Sequence, residues 1–471
     1  MNNRYAFFHL RQGRIIILVA VALSLMALPA SARKTASPPD DANAEPSSSD
    51  LNRKLLDAAT TGDQKRVKQL LFKGARPVVT DSQGMTALLH AAHQGHKAVA
   101  QRLAKAGANL RGVDTNGQNV LHHAAIGGSP ALVAFLMKYR KFLYTTDSQG
   151  RTPLLLAASN GHFSAVRKLL HPTANEETDN AGRSLMFHAY MGGNESLIQY
   201  LKRKGLDSGN LPRNGSSYLF AAVQSGNLKL VRRMLKQGSA VDERNDDRET
   251  PVMAAASSGQ IETVQLLLEM GAPLFTVSAS GQTTLMLVAR LTDTSLLKQL
   301  MQSGQNVNVA DAEGKTALFY ALDAKQNQAA RLLIDYGANP RLVDAHRNTP
   351  LSVAVETQNV EMVRLLLEKG AVPTTINASG ESLLMRATRL GNDHIAGELI
   401  GAGASISSIG PDGTTLLMAA AQNGMLDFVK LLLQWGQDPK AKNNHGDTAL
   451  DLARQHHHDR VAAILSDTMQ N

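Results

Sequence analysis

Residues 147–170 read DSQGRTPLLLAASNGHFSAVRKLL, and this unit returns along nearly the whole chain of 471 residues. In chain order its turn glycine recurs at Gly84, Gly117, Gly150, Gly182, Gly215, Gly281, Gly314, Gly380, Gly413 and Gly446. The steps between them are 33, 33, 32, 33, 66, 33, 66, 33 and 33 residues. The two double steps pass over Arg248 and Arg347, which hold the register without the glycine. A fixed period of this length marks a solenoid. One such unit is too small to bury its own apolar face, so stacked neighbours must share a continuous core.

Each unit reads as a turn followed by two helices. Thr or Ser stands two residues after the glycine, as at Thr86, Thr152, Ser184, Thr283, Ser382 and Thr415, where a hydroxyl caps the first free N–H groups of a helix. Pro153, Pro251 and Pro350 follow directly, at the first helical position, where the missing N–H costs nothing. A Leu and a small pair come next, as in Leu88/Ala91/Ala92 and Leu154/Ala157/Ala158. A second glycine (Gly95, Gly128, Gly161, Gly259, Gly391) stops this short helix. The second helix carries apolar residues at helical spacing, such as Val264/Leu267/Leu268. It closes with Gly-Ala, as at Gly107-Ala108 and Gly370-Ala371.

Asp147-Ser-Gln-Gly-Arg-Thr-Pro-Leu154, with Ala157-Ala158 and Gly161-His162 after it, closely resembles the ankyrin repeat. The resemblance covers residues 51–468 and implies an all-α solenoid of about thirteen helix-turn-helix repeats with β-hairpin fingers. Packed helices about 8–10 Å apart would make it a curved rod on the order of 100 Å long. It further implies a scaffold for protein–protein recognition with a concave helical face. The chain departs from the pattern at Thr292, Lys325, Gln358 and His457, which replace the inter-helix glycine, and at His171-Pro172, where one residue is missing. Helix ends at the first three of these sites are expected to adapt or strain. The first and last repeats carry extra polar residues, as caps must.

The N-terminus has its own organisation. Arg4, Arg11 and Arg14 precede an apolar stretch over residues 15–28, followed by Pro29-Ala30-Ser31-Ala32. A positive region, a short apolar core and a small-x-small site describe a secretory signal peptide (residues 1–32) cleaved after Ala32. The alternative, an uncleaved anchor, is disfavoured because the stretch is shorter than the ~20 residues needed to span a bilayer. Residues 33–50 are polar and Pro/Ser-rich, the composition of a flexible linker. The chain has no cysteine, which suits an oxidising compartment without disulfide support. The expected address is a Gram-negative periplasm, or secretion, with no membrane segment in the mature form and a monomeric chain.

Charge narrows the partner only slightly. The net charge is +9; removing residues 1–32 takes three arginines and no acid, leaving 46 basic against 40 acidic residues. That favours an acidic protein weakly. The basic residues are scattered and no nucleic-acid motif appears.

No catalytic, cofactor or metal signature emerges. His456-His457-His458 would point to different faces of a helix, and His122 stands where the repeat motif carries its structural His. The periodic Asp81, Asp114, Asp147, Asp179, Asp311, Asp344 and Asp412 sit just ahead of turns, where Asp bonds its own backbone. The expected function is therefore a non-enzymatic scaffold; the alternatives are a secreted effector acting on a host protein, or a metal-dependent module using groove histidines. In this family the residue before the small pair and the two before the inter-helix glycine face the groove. That register puts His90, His93, His123 and His188 at one end. Leu287, Arg290, Leu291, Tyr320, Arg386, Arg389 and Leu390 fall at the other, all expected to be exposed. Apolar, Tyr and Arg side chains exposed together are the material of interface hot spots, so recognition is expected in the C-terminal half.

Overall fold

The computed structural model describes residues 48–139, 142–207, 215–377 and 379–470. The expected signal peptide and residues 33–47 of the expected linker lie outside the described residues. Residues 48–50, read above as linker, instead form the first turn of the helix Ser48–Thr61. Asp50 holds that turn by pairing with Arg53 at 2.9 Å and Lys54 at 2.5 Å, the spacing at which helical side chains meet.

Among the described residues the chain forms thirteen helix pairs, from Ser48–Thr61 with Gln64–Phe72 to Ala449–Gln455 with Asp459–Gln470. Most first helices are seven residues long, too short to persist alone in water, so packing must hold them. They start as the sequence requires: the Oγ1 of Thr86 accepts from the Leu89 N–H at 3.3 Å, and Thr152, Ser184 and Thr415 do the same. Pro153, Pro251 and Pro350 occupy first-turn positions. Ala91, Ala92, Ala124, Ala125, Ala157 and Ala158 are fully buried. With so little volume between them, each first helix touches the first helix of the next repeat along the whole stack. One apolar core runs from Leu51 to Leu465.

The fingers are minimal. Single antiparallel bridges close those at Thr80–Thr86, Thr178–Ser184, Val277–Thr283, Ile376–Ser382 and Ile409–Thr415. Backbone bonds tie successive finger tips together: Thr115 N to Gln83 O (3.1 Å), Ser148 N to Asn116 O (2.9 Å), Ala312 N to Ser280 O (2.9 Å) and Asn444 N to Asp412 O (3.0 Å). Pro411 occupies the donor position of this ladder and has no N–H to give, so the bond to the tip at Ser379 cannot form.

The departures from the glycine pattern resolve in two ways. Lys325, Gln358 and His457 take the left-handed conformation that glycine would, with φ of 56°, 54° and 61°, as do Arg248 and Arg347 at the turns. Thr292 does not; its branched β-carbon makes that region most costly. The helix before it, Thr284–Val288, ends after five residues instead of seven. Near His171-Pro172 the second helix Phe163–Leu169 is also short, and a 3₁₀ turn at Ala174–Glu176 takes up the difference.

A left-handed non-glycine residue costs roughly 1–2 kcal/mol, partly offset because glycine has more freedom to lose on folding. Lys325→Gly and Gln358→Gly should each raise stability by on the order of 1 kcal/mol, read as a higher denaturation midpoint in equilibrium unfolding. Thr292→Gly should not, because its backbone carries no such strain.

Candidate protein-binding surface

Most of the described turns are closed by a side-chain oxygen three residues before the turn position. Asp114 Oδ1 accepts from the N–H groups of Asn116 (2.9 Å) and Gln118 (2.8 Å). Asp81, Asp147, Asp179, Asp311 and Asp344 repeat the arrangement, and Asn377 and Asn443 supply it with a carboxamide. These carboxylates are turn residues, as their spacing implied; Asp412 departs from the set, standing one residue before Gly413 with Gly410 in the acceptor's place. The second oxygen of the turn carboxylates has a further use that spacing did not reveal. It holds the side chain nine residues on: His90 Nε2 at 2.9 Å from Asp81, His123 Nε2 at 3.2 Å from Asp114, and His188 Nε2 at 3.2 Å from Asp179. The Tyr320 hydroxyl likewise donates to Asp311 at 2.6 Å.

This clamp changes the expected groove. His123 and His188 are 3% and 1% exposed and Leu287 is 4% exposed, so all three belong to the interior rather than to an accessible surface. The helical period aims these side chains correctly, but neighbouring side chains cover them. His93 remains exposed and meets His123, with their Nδ1 atoms 3.3 Å apart. His93 and His123 therefore do come together, while His90 is held by Asp81. His122 ties turns as expected: it receives the Asn119 N–H on Nδ1 at 3.2 Å and contacts the Arg151 carbonyl of the next turn through Nε2 at 3.1 Å. His456, His457 and His458 form the inter-helix turn rather than consecutive positions on a helix, and His458 Nε2 reaches the Gln422 carbonyl at 3.0 Å.

At the other end Arg290 is exposed, and Leu291 and Leu390 are half-buried. The Tyr320 hydroxyl sits between Asp311 and the Gln282 amide, 2.8 Å away; burial, then the hydrogen bond to Asp311, raises its pKa. The repeat carrying Val353 separates this group from Arg386 and Arg389. Those two arginines were expected to stand free, and neither does. Arg386 forms a fork on Glu356 at 2.6 and 2.8 Å. Arg389 grips both oxygens of Asp412 at 2.8 Å and lies 3.0 Å from Glu381. Asp412 is pulled down to about 2: burial acts upward, and the bonds from Arg389 and Thr414 outweigh it. These arginines fasten neighbouring repeats. Glu356 and Asp412 come from the adjacent repeats, and the repeat that carries the arginines gives no sign of those two pairings.

A surface that the groove register missed lies on the fingers. Four residues before the turn position, five consecutive repeats carry Val277, Ala310, Val343, Ile376 and Ile409, all exposed. Ile409 is 62% and Val343 56% exposed. Arg244 and Lys442 hold the same position on either side of the run. The same 33-residue arithmetic that located the glycines marks this row.

Two outcomes follow from these contacts. Burial first pulls His123 down to about 4, against the attraction of Asp114 and assisted by His93; burial also lowers His122 and His188. The unfolded histidines, near 6.5, take up protons before the folded ones. Stability present above pH 6.5 should therefore be lost as pH falls toward 4. Urea midpoints between pH 7.5 and 4.5 would measure the slope, and His123→Gln should flatten it. Arg389→Ala should loosen the joint between the repeats at Gly380 and Gly413 by on the order of 1 kcal/mol, given its partly exposed setting. Hydrogen exchange should report this as faster opening of the helices Leu416–Gln422 and Ala449–Gln455.

Among the described residues no helix is long and apolar enough to cross a membrane. A search of the curated proteins returned no match. The family model described as ankyrin repeats (three copies) matches residues 55–147, 111–180, 141–211, 185–278, 285–377 and 384–471. Proteins built of these repeats generally bind other proteins and are generally not enzymes. With thirteen stacked helix pairs, bridged fingers and this match along the stack, the chain belongs to the ankyrin repeat family.

Proposed function

We propose that this chain is a non-enzymatic scaffold that holds a partner protein along the finger and groove side of its C-terminal half. The observation that carries the reading is the exposed aliphatic row Val277, Ala310, Val343, Ile376 and Ile409. An apolar side chain left in water at one position is ordinary, but five at equivalent positions of consecutive repeats form a linear patch of the kind that marks interaction sites. Arg290 stands exposed among these repeats with no ion-pair partner among the described residues, and an arginine suits a carboxylate or an aromatic ring. The partner chemistry is therefore an extended apolar surface with an acidic group beside it. Half-buried Leu291 and Tyr320 would line the adjoining groove, whereas Arg386 and Arg389 act through the spacing of the repeats.

Residues 1–32 support export with cleavage after Ala32, so the partner belongs to the periplasm or the exterior. Edman sequencing of the exported protein should begin at Arg33. Cross-linking in the periplasmic fraction followed by mass spectrometry would identify the partner, while recovery from the culture medium alone would favour the effector reading.

The triple variant Val343→Asp/Ile376→Asp/Ile409→Asp should bind that partner at least ~30-fold more weakly, since hot-spot truncations cost on the order of 2 kcal/mol each. Its circular dichroism should be unchanged, because all three positions are exposed. Normal binding by this variant would move the interface away from the fingers.

A further inference from the structure

At the N-terminal end, a pair of histidines from adjacent repeats remains outside the binding surface proposed above. His93 closes the helix Ala87–His93 and His123 lies in the helix Val120–Ile126. Their rings are tilted by 60° with centroids 5.5 Å apart, and the Nδ1 atoms face each other at 3.3 Å. Two nitrogens bound to one tetrahedral zinc, each about 2.0–2.1 Å from it, lie roughly 3.3–3.4 Å apart. The backbone already sets the nitrogens at the separation such an ion needs.

The proximity is built into the fold. Gly127 follows His123 by one helical turn and packs on the end of the preceding helix. A β-carbon there would come within 2.1 Å of the His93 carbonyl oxygen. No residue with a side chain fits, so these two repeats meet more closely than a side chain would allow.

The outer shell is also in place. His123 Nε2 faces Asp114 Oδ2 at 3.2 Å, and Asp114 is itself fixed through Oδ1 by the Asn116 and Gln118 N–H groups. With its Nε2 proton on the carboxylate, His123 offers the Nδ1 lone pair. This carboxylate–histidine relay orients metal-bound imidazoles elsewhere. His90, three residues before His93 on the same helix, is held in the same way by Asp81 at 2.9 Å.

We propose that His93 and His123 form a binding site for a divalent transition metal of the imidazole-seeking class, Zn²⁺, Ni²⁺ or Cu²⁺. Copper is expected to bind tightest, following the general order for nitrogen ligands. Among the described residues no group of three His, Cys, Asp or Glu side chains is placed to hold a metal ion, so an ion on this pair keeps coordination positions open to water or to a side chain of a bound protein. His93 is exposed, which gives the ion its entry and leaves those positions facing solvent.

The test uses the purified protein with His456→Gln and His457→Asn introduced to remove surface background at the C-terminus. Zn²⁺ and Cu²⁺ are titrated against a competing chelator dye, and thermal melting is followed in parallel. One ion should bind per chain and raise the melting temperature, with histidine NMR signals shifting at His93 and His123. His93→Gln, at an exposed position, should weaken binding by more than 10-fold and abolish the thermal shift. Asp114→Asn should cost about 10–100-fold, as loss of an orienting carboxylate does. Absence of binding at micromolar free metal, or equal affinity in parent and His93→Gln, overturns the proposal; the two rings then simply share a proton.

Discussion

A carboxylate has two oxygens, and in this chain the turns use one and pass the other on. Oδ1 of the aspartate three residues before the turn position gathers two backbone N–H groups and so fixes the finger. Oδ2 is left pointing toward the first helix, where it receives His90, His123, His188 or Tyr320. Where the ninth residue on is apolar, as Leu156 is, the oxygen turns to Arg151 and Gln118 instead. A single acceptor therefore joins finger to helix within a repeat and, through Gln118, one repeat to the next. Buried polar side chains need such partners, and the histidines of the N-terminal half would be untenable without them.

The architecture was legible because it depends on spacing. Turn glycines, hydroxyl caps, first-turn prolines and small pairs all lie within one repeat, and a short window of sequence contains the cause of each. Exposure was less legible because it depends on what the neighbouring layers put in front of a side chain. His123 has the groove register yet lies under His93, and Leu287 is covered although the helix before Thr292 is cut short. Arg386 and Arg389 were misread for the same reason, since Glu356 and Asp412 belong to the repeats on either side. The aliphatic finger row was within reach of the sequence, because its period is that of the glycines; it was missed because only groove positions were followed.

The two halves of the stack are differently furnished. Asp81, Asp114 and Asp179 hold imidazoles, and Gly127 and Gly192 let adjacent helices close up, each β-carbon position lying about 2 Å from a carbonyl oxygen of the preceding helix. Beyond Arg248 the same register carries larger residues, among them Leu291, Thr357 and Leu390. Side-chain ion pairs between repeats are more frequent there, Arg331 with Glu361, Arg364 with Glu398 and Arg386 with Glu356, against Arg233 with Glu195 before it. Repeat proteins draw their stability from such neighbour-to-neighbour terms, so a change of fastener along the stack is also a change in how each joint responds to its surroundings.

Pro411 carries that difference to its limit. Where several of the described finger tips are joined by a backbone hydrogen bond, this joint has the Arg389 fork to Asp412 in its place, beside the Asn423 amide on the Thr388 and Arg389 carbonyls. Hydrogen bonds between amides are nearly indifferent to dissolved ions, whereas partly exposed charges are screened within about 8 Å at physiological ionic strength. At this joint salt therefore works on the finger as well as on the helices: firmer in dilute medium, looser in brine, with the last two repeats, from Thr415 onward, as the arm that feels it.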